Sequence, residues 1–146
     1  MQRILANEQN NIQIAYVAND NMATVAIAAL RTKKLNGKVL VTGQDATLIG
    51  IQNILTGDQS MTVYKAIINL AQATARLVAG LSNGNNLSSL INARTEVEGG
   101  GQVPSILGTP IAIDKTNVAK TVIADGFLTK EQVCHRVPQN TAGLCN

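Results

Sequence analysis

An alternation of short apolar segments with longer amphipathic segments constrains the fold of this chain more than any other feature. Short aliphatic runs at residues 12–18, 38–42 and 61–64 predict buried strands. Each run is followed by apolar residues at helical spacing, which predicts helices over residues 20–34, 45–55 and 66–81. Strand–helix alternation predicts an α/β fold with a parallel sheet flanked by helices.

The apolar positions of these helices are expected to face the core. They are Met22, Val25, Ala26, Ala29 and Leu30 in the first helix, Leu48, Ile51, Ile54 and Leu55 in the second, and Ile67, Leu70, Ala71, Leu77, Val78 and Leu81 in the third. Because aromatic residues make up only 2% of the chain, we expect a core of aliphatic side chains.

The pattern changes after the third helix. We predict a strand at 92–98, a loop at 99–101, an extended segment at 103–114 with strand character at 111–113, a helix at 116–124 capped by Thr116, and a last turn at 129–134. The residues from 135 to 146 are mostly polar and predict a mobile tail.

Charge and composition narrow the classes of function. The formal net charge is +3, but the Lys and Arg residues are scattered and no aromatic residues lie among them, so we expect no nucleic-acid partner. No apolar run reaches the length of a membrane span, and the N-terminus lacks the apolar core of a signal peptide. The opening residues are typical of the last turns of a helix, so we expect a fragment of a longer protein.

Polar residues follow each of the first three predicted strands. Asn19 follows the first strand, Asp45 the second and Lys65 the third. Ligands of open parallel sheets bind at the carboxyl ends of the strands. Asp accepts hydrogen bonds from vicinal hydroxyls, Asn donates and accepts, and Lys donates, so together these residues predict a site for a small polar ligand such as a sugar.

A second interpretation of the same residues needs no ligand. Turns at strand ends favour Asn and Asp as caps, and Asp45 in particular is a candidate N-cap of its helix. Turns place no special demand for Lys, which makes Lys65 the residue that this interpretation explains least. Both interpretations stay open from spacing alone.

Cys134 and Cys145 are the two cysteines of the chain. Their spacing allows a small disulfide loop in an oxidising compartment, and two free thiols are an equally good interpretation. Together with the single histidine, His135, they offer three ligands and no fourth, so we expect no metal. No sequence motif for a cofactor is present, and we expect none.

Five segments resemble one known family in their order along the chain. They are VANDNMA at 17–23, GKVLVTGQDATLIGIQNILTG at 37–57, MTVYKAI at 61–67, VPSILGTPIAIDKTNV at 103–118 and TVIADGF at 121–127. These segments resemble periplasmic binding proteins of the ribose and xylose type, and most closely the D-xylose-binding proteins of ABC transporters. The resemblance implies part of one lobe of a type I periplasmic binding protein fold, over residues 1–134.

The resemblance also implies a function. Proteins of this family close two lobes over a monosaccharide and present it to an ABC permease outside the cytoplasm. Asn19, Asp45 and Lys65 match the positions that hold a pentose, and residues 103–114 match the last hinge crossing. The resemblance implies that the N-terminal lobe and the first part of the C-terminal lobe, which supply the aromatic residues that sandwich the sugar, are absent from this sequence, and the N-terminal lobe is expected as a partner. The tail at 135–146 matches no pattern of the family.

Other functions are consistent with the same fold. The closed form can be presented to a membrane sensor instead of a permease, and the effector-binding domains of sugar-responsive repressors share this lobe. An enzyme that uses Asp45 and Lys65 as acid and base is a third hypothesis, since a fold alone does not determine function. No nucleophile, cofactor motif or metal cluster accompanies those two residues, so we expect a protein that is not an enzyme.

Overall fold

The computed structural model describes residues 1–139, 141 and 143–145. Its α-helices are α1 Gln2–Asn7, α2 Asp20–Thr32, α3 Leu48–Thr56, α4 Ile67–Ser82 and α5 Lys130–Cys134. Its strands are β1 Ile14–Ala15, β2 Leu40–Val41, β3 Thr62–Tyr64, β4 Ala93–Val97, β5 Gly101–Ser105 and β6 Ile111–Ile113. A 3₁₀ turn at Ser88–Leu90 and a π-helical turn at Ala119–Ile123 complete the elements. The predicted tail includes Asn140, Ala142 and Asn146, which lie outside the described residues.

The chain forms two compact units. The first unit combines Met1–Tyr64 with the segment that begins at Ile111, and the second unit is Lys65–Pro110. The chain therefore passes between the units twice, once after Tyr64 and once after Pro110.

In the first unit the strands pair in two different directions. β1 and β2 are parallel, with Ile14 opposite Leu40, as the alternation of strands and helices predicts. β3 pairs with β6 in an antiparallel ladder, a pairing that the alternation of strands and helices does not predict. The chain that leads into β3 also contacts β2, because the Ser60 N–H donates to the Val41 oxygen at 2.9 Å and the Ser60 hydroxyl accepts from the Val41 N–H at 3.0 Å.

The first two strands are shorter than their apolar runs. β1 ends at Ala15, although the run continues to residue 18. Beyond Ala15 the Thr42 side chain replaces the backbone partner, because its Oγ1 accepts from the Val17 N–H at 2.8 Å and donates to the Val17 oxygen at 3.1 Å. A side-chain bridge holds the two segments together without a regular ladder.

Two predicted helix starts are wrong. α3 begins at Leu48 and not at residue 45, because Asp45 and Ala46 adopt positive φ angles of 94° and 48° that no α-helix contains. Thr116 does not cap a helix, since its N–H and its hydroxyl both donate to the Asp114 carboxylate. The segment that follows it forms a turn and then the π-helical turn at Ala119–Ile123.

The core of the first unit is mainly aliphatic, as the low aromatic content predicts. One cluster of buried residues comprises Leu5, Ala15, Ala23, Ile27, Ala29, Leu30, Val39 and Val41. Ala26, Ala29 and Leu30 of the predicted inner face of α2 are buried, and the other two residues of that face are not. Met22 is 55% exposed and Val25 is 71% exposed, whereas Ala23 and Ile27 are buried.

The second unit consists of α4, the 3₁₀ turn and a hairpin of β4 and β5. Val97 lies opposite Gly101, and the turn between them contains Gly99 and Gly100 with φ of 94° and 83°, values that glycine adopts without strain. A cavity of about 360 Å³ lies in this unit, lined by Leu70, Ala73, Thr74, Leu77, Leu87, Ile91, Pro104 and Ile106. The predicted inner residues Ile67, Leu70, Val78 and Leu81 of α4 are each more than half exposed.

The two cysteines form a disulfide. Cys134, at the end of α5, is bonded to Cys145, and their Cα atoms are 5.3 Å apart. Of the two interpretations of the cysteines, the structure shows the disulfide. The tail is therefore tied back to the first unit, where Cys145 is buried and Val137 is 9% exposed.

Candidate functional site

Asn19 lies where the segment of β1 meets α2. It is the N-cap of that helix, and its Oδ1 accepts a hydrogen bond from the Met22 N–H at 2.9 Å. The capping interpretation of this residue is therefore correct as far as Oδ1 is concerned. The cap does not use the Nδ2 group, which has two N–H donors for another partner.

Asp45 lies on the loop between β2 and α3 and is exposed. It does not cap α3, because the N-cap is Thr47, whose hydroxyl oxygen accepts from the Gly50 N–H at 3.1 Å. Its backbone is fixed on the strand side, where its N–H donates to the Val63 oxygen at 2.9 Å. The next residue, Ala46, donates its N–H to the Thr62 hydroxyl at 3.2 Å. The capping interpretation of Asp45 is therefore wrong.

The loops that carry Asn19 and Asp45 are hydrogen-bonded to each other. The residue after Asn19 is Asp20, and its N–H donates to the oxygen of Gln44, the residue before Asp45, at 3.0 Å. The structure thus places these two loops side by side at the ends of β1 and β2, as the parallel pairing requires.

Asp20 is a functional candidate that the sequence analysis missed. It is completely buried, with 0% exposure. Its Oδ2 accepts from the Thr47 N–H at 2.8 Å and from the Thr47 hydroxyl at 3.2 Å. Its Oδ1 accepts from Gln59 Nε2 at 2.8 Å and from the Thr62 hydroxyl at 2.7 Å. In the sequence Asp20 follows Asn19 at the start of a helix. A carboxylate in the first turn of a helix is ordinarily expected to be exposed, so the sequence gives no sign of its burial.

Lys65 directly follows Tyr64, the last residue of β3, and is the first residue of the second unit. Its side chain is exposed. The residue two positions before it, Val63, provides the oxygen that accepts from the Asp45 N–H.

Tyr64 fixes the end of β3 in the interior. Its ring is 1% exposed, and its centroid lies 5.2 Å from that of Phe127. Burial raises the pKa of the Tyr64 hydroxyl, and the negative Asp125 carboxylate near it raises that pKa further. The phenol is therefore neutral at physiological pH, and β3 ends on an uncharged buried anchor.

The arrangement suits recognition of a neutral, hydroxyl-bearing molecule. Asp45 supplies carboxylate oxygens in an exposed position, and Asn19 supplies amide donors on the neighbouring loop. Among the described residues, no group of three or more His, Cys, Asp or Glu side chains is placed to hold a metal ion. Within the same residues, no helix combines the length and the hydropathy needed to cross a lipid bilayer.

Comparisons with known proteins agree with the α/β architecture of this chain. The sequence profile of the periplasmic binding protein domain matches residues 1–86. The chain belongs to the periplasmic binding protein domain family.

Two curated relatives are D-xylose-binding periplasmic proteins. The one from Haemophilus influenzae is 42% identical over 136 residues, which cover 92% of this chain and 40% of the relative. The one from Escherichia coli is 43% identical over 128 residues, which cover 87% of this chain and 38% of the relative. The chain therefore spans about two fifths of the length of these relatives.

Among solved structures, a carbohydrate transporter solute-binding protein from Chloroflexus aurantiacus in complex with D-glucose superposes with a TM-score of 0.74 at 26% identity. The match covers 88% of this chain and 38% of that protein. It confirms the predicted fold class, part of a type I periplasmic sugar-binding protein. The relatives are binding proteins of sugar transport and not enzymes.

Proposed function

We propose that this chain is the C-terminal part of a solute-binding protein that captures a monosaccharide between two lobes for uptake by an ABC transporter. D-xylose is the first candidate ligand. The observation that carries the proposal is the identity of 42% and 43% to two D-xylose-binding periplasmic proteins over most of the chain. The function is binding and delivery, and no residue is assigned a catalytic role.

In this proposal three residues hold the sugar. The Asp45 carboxylate accepts hydrogen bonds from neighbouring hydroxyls, the Asn19 amide donates to a hydroxyl or ring oxygen, and Lys65 donates to the remaining oxygens. The proposal is supported by the backbone bonds of Asp45, which fix its turn before any ligand arrives. A site that is already ordered loses less conformational entropy on binding.

The remaining parts of the proposal concern the whole protein. The segment at 103–114 would act as a hinge crossing, and support comes from the passage of the chain between its two units after Pro110. An extracytoplasmic location is supported by the periplasmic relatives and by the disulfide, since such bonds persist in oxidising compartments. An ABC permease would receive the closed form, with a membrane sensor as the alternative receiver.

Isothermal titration calorimetry on the complete protein, this chain together with its N-terminal lobe, tests the proposal. We expect one D-xylose to bind per protein, with D-glucose and D-ribose titrated in parallel to define the preference. Binding of another monosaccharide in place of D-xylose would change the proposed ligand, but the proposed class of sugar-binding protein would stand. A complete, folded protein that binds no monosaccharide would contradict the proposed function.

A further inference from the structure

The buried carboxylate of Asp20 requires an explanation, because removing an ion from water is costly unless hydrogen bonds replace its hydration. All four hydrogen bonds that it accepts come from neutral donors: the N–H and hydroxyl of Thr47, the amide of Gln59 and the hydroxyl of Thr62. Two of these bonds reach the loop before α3 and two reach the segment at the start of β3.

The backbone of Asp20 also contacts the loop before α3. Its N–H donates to the Gln44 oxygen, while its carboxylate accepts from the Thr47 N–H. Gln44 and Thr47 flank the turn that contains Asp45 and Ala46. Asp20 therefore holds both ends of this turn, and it is itself covalently bonded to Asn19.

The turn that Asp20 holds has an unfavourable backbone conformation. Asp45 and Ala46 have φ angles of 94° and 48°, and positive φ values are strained for residues with a Cβ atom. Such a conformation persists only where the surroundings over-determine it. Here the surroundings are Asp20 on both sides and Thr62, whose hydroxyl donates to Asp20 and accepts from the Ala46 N–H.

Two glycines lie so close to the Asp20 carboxylate that a side chain at either position would clash with it. A Cβ atom on Gly43 would lie 2.2 Å from Asp20 Oδ1, and one on Gly50 would lie 2.2 Å from Oδ2. Both distances are far below van der Waals contact. Gly43 in the loop after β2 and Gly50 in the first turn of α3 therefore leave the space that the Asp20 carboxylate occupies.

We propose that Asp20 is the positioning residue of the sugar site: it touches no sugar, and it holds Asn19 and the strained Asp45 turn in their binding geometry. This inference rests on the proposed function, in which Asn19 and Asp45 contact the ligand. The role is distinct from stabilising the fold in general, because its effect on affinity passes through the Asp45 turn.

Asp20→Asn in the complete protein is the first test, with D-xylose as the titrant. The Asn side chain keeps the shape but has one oxygen fewer to accept hydrogen bonds. In either orientation its NH₂ group would face a donor, Gln59 Nε2 at the Oδ1 position or the Thr47 N–H at the Oδ2 position, so at least one hydrogen bond is lost. We expect the dissociation constant for D-xylose to rise about tenfold or more, the loss of roughly one hydrogen bond to a charged group.

Thr62→Val is a second variant with the same expected direction. It keeps the shape of the side chain and removes the hydroxyl that joins Asp20 to the Ala46 N–H. If Asp20→Asn does not fold, Thr62→Val decides the question. The two variants alter different residues of the hydrogen-bond network that joins Asp20 to the Asp45 turn.

Asp58→Asn is the matched control in the same unit. The Asp58 carboxylate is also nearly buried and binds Arg31 and Asn36, near the end of α2 opposite to Asp20. Arg31 lies eleven residues from Asp20, about 16 Å along the helix at 1.5 Å per residue. We expect this variant to lower the melting temperature while the dissociation constant stays within about twofold of the unmodified protein.

The double variant Asp20→Asn with Asp45→Ala separates positioning from a general effect. If Asp20 acts through Asp45, its loss weakens binding far less once Asp45 has been removed. Equal losses in both backgrounds would overturn the inference. So would folded Asp20→Asn and Thr62→Val proteins that bind D-xylose with unchanged affinity while Asp45→Ala weakens binding. An unchanged affinity in Asp45→Ala itself would instead contradict the proposed site.

Discussion

Asn19 and Asp45, two residues of the candidate site, differ in their contribution to the fold: Asn19 caps a helix and Asp45 does not. Asn19 uses its oxygen to cap α2, so its presence has a folding explanation as well as a functional one. Asp45 makes no cap, and its φ of 94° is unfavourable for the backbone. An exposed, polar residue in a strained backbone conformation supports the proposal that Asp45 contacts a ligand.

Replacing Asp45 with Ala should weaken D-xylose binding by the complete protein by about 1.5–3 kcal/mol for each charged hydrogen bond that is lost. Calorimetric titration measures the change directly. Asp45→Asn is the control for backbone strain, because Asn tolerates positive φ and keeps one acceptor oxygen. We expect a smaller loss in the Asn variant, and equal affinity in all three proteins would remove Asp45 from the site.

Among the elements, α5 shows how a short helix is held by its ends. Thr129 and Gln132 form a capping box at its start. Near its end, Gln52 of α3 donates to the oxygens of Gln132 at 3.1 Å and His135 at 2.7 Å. The disulfide to Cys145 then fixes the tail that follows. A helix of five residues has little stability of its own, so these contacts maintain it.

Replacing Cys134 and Cys145 together with Ala should lower the free energy of unfolding by about 3 kcal/mol, because the bond closes a short loop in the unfolded chain. The sequence separation of the two cysteines is 11 residues. Urea denaturation of the complete protein with and without reductant measures the effect. Reductant should destabilise the unmodified protein and leave the double variant unchanged. An unmodified protein that is insensitive to full reduction would contradict this prediction.

The hairpin of β4 and β5 shows what element prediction missed. The strand at 92–98 was predicted almost in full, since the structure has Ala93–Val97. For the partner strand the sequence predicts a loop and an extended segment, because Gly101 and Pro104 disfavour strands by propensity. Pairing overrides that propensity here: the Pro104 position lies opposite Arg94 in a two-stranded ladder that has edges on both sides.

At the scale of the whole molecule, large apolar side chains lie open to solvent. Ile14 and Leu40 are opposite each other in the β1–β2 pair and are 63% and 55% exposed. Tyr16 is 89% exposed. The chain also spans about two fifths of the length of its D-xylose-binding relatives. The partial length agrees with the proposal that sugar capture needs a second lobe.

Native mass spectrometry of this chain alone, with and without D-xylose, tests the need for that second lobe. We expect the isolated chain to take up no sugar, because it supplies Asn19, Asp45 and Lys65 without an opposing surface. The complete protein, measured under the same conditions, should take up one D-xylose. Stoichiometric uptake by the isolated chain as a monomer would contradict capture between two lobes.

The sequence by itself determined the α/β class, the parallel β1–β2 pair, the body of α2, α3 and α4, and the family. These features depend on local periodicity and on motifs, which a single chain displays directly. The loops of Asn19 and Asp45 were predicted to be neighbours because parallel strands end at one edge of a sheet. The structure agrees, since the Asp20 N–H donates to Gln44.

Only the tertiary structure decided the antiparallel pairing of β3 with β6, the disulfide and the role of Asp20. β3 and β6 are separated by the whole second unit, so no local pattern indicates that they pair. Asp20 is polar and begins a helix, and polarity alone predicts an exposed residue. Its burial depends on donors from Thr47, Gln59 and Thr62, which lie 27 to 42 residues away in the chain. A buried charge is stabilised by groups that meet only when the chain is folded, and this is why its place was not visible in the sequence.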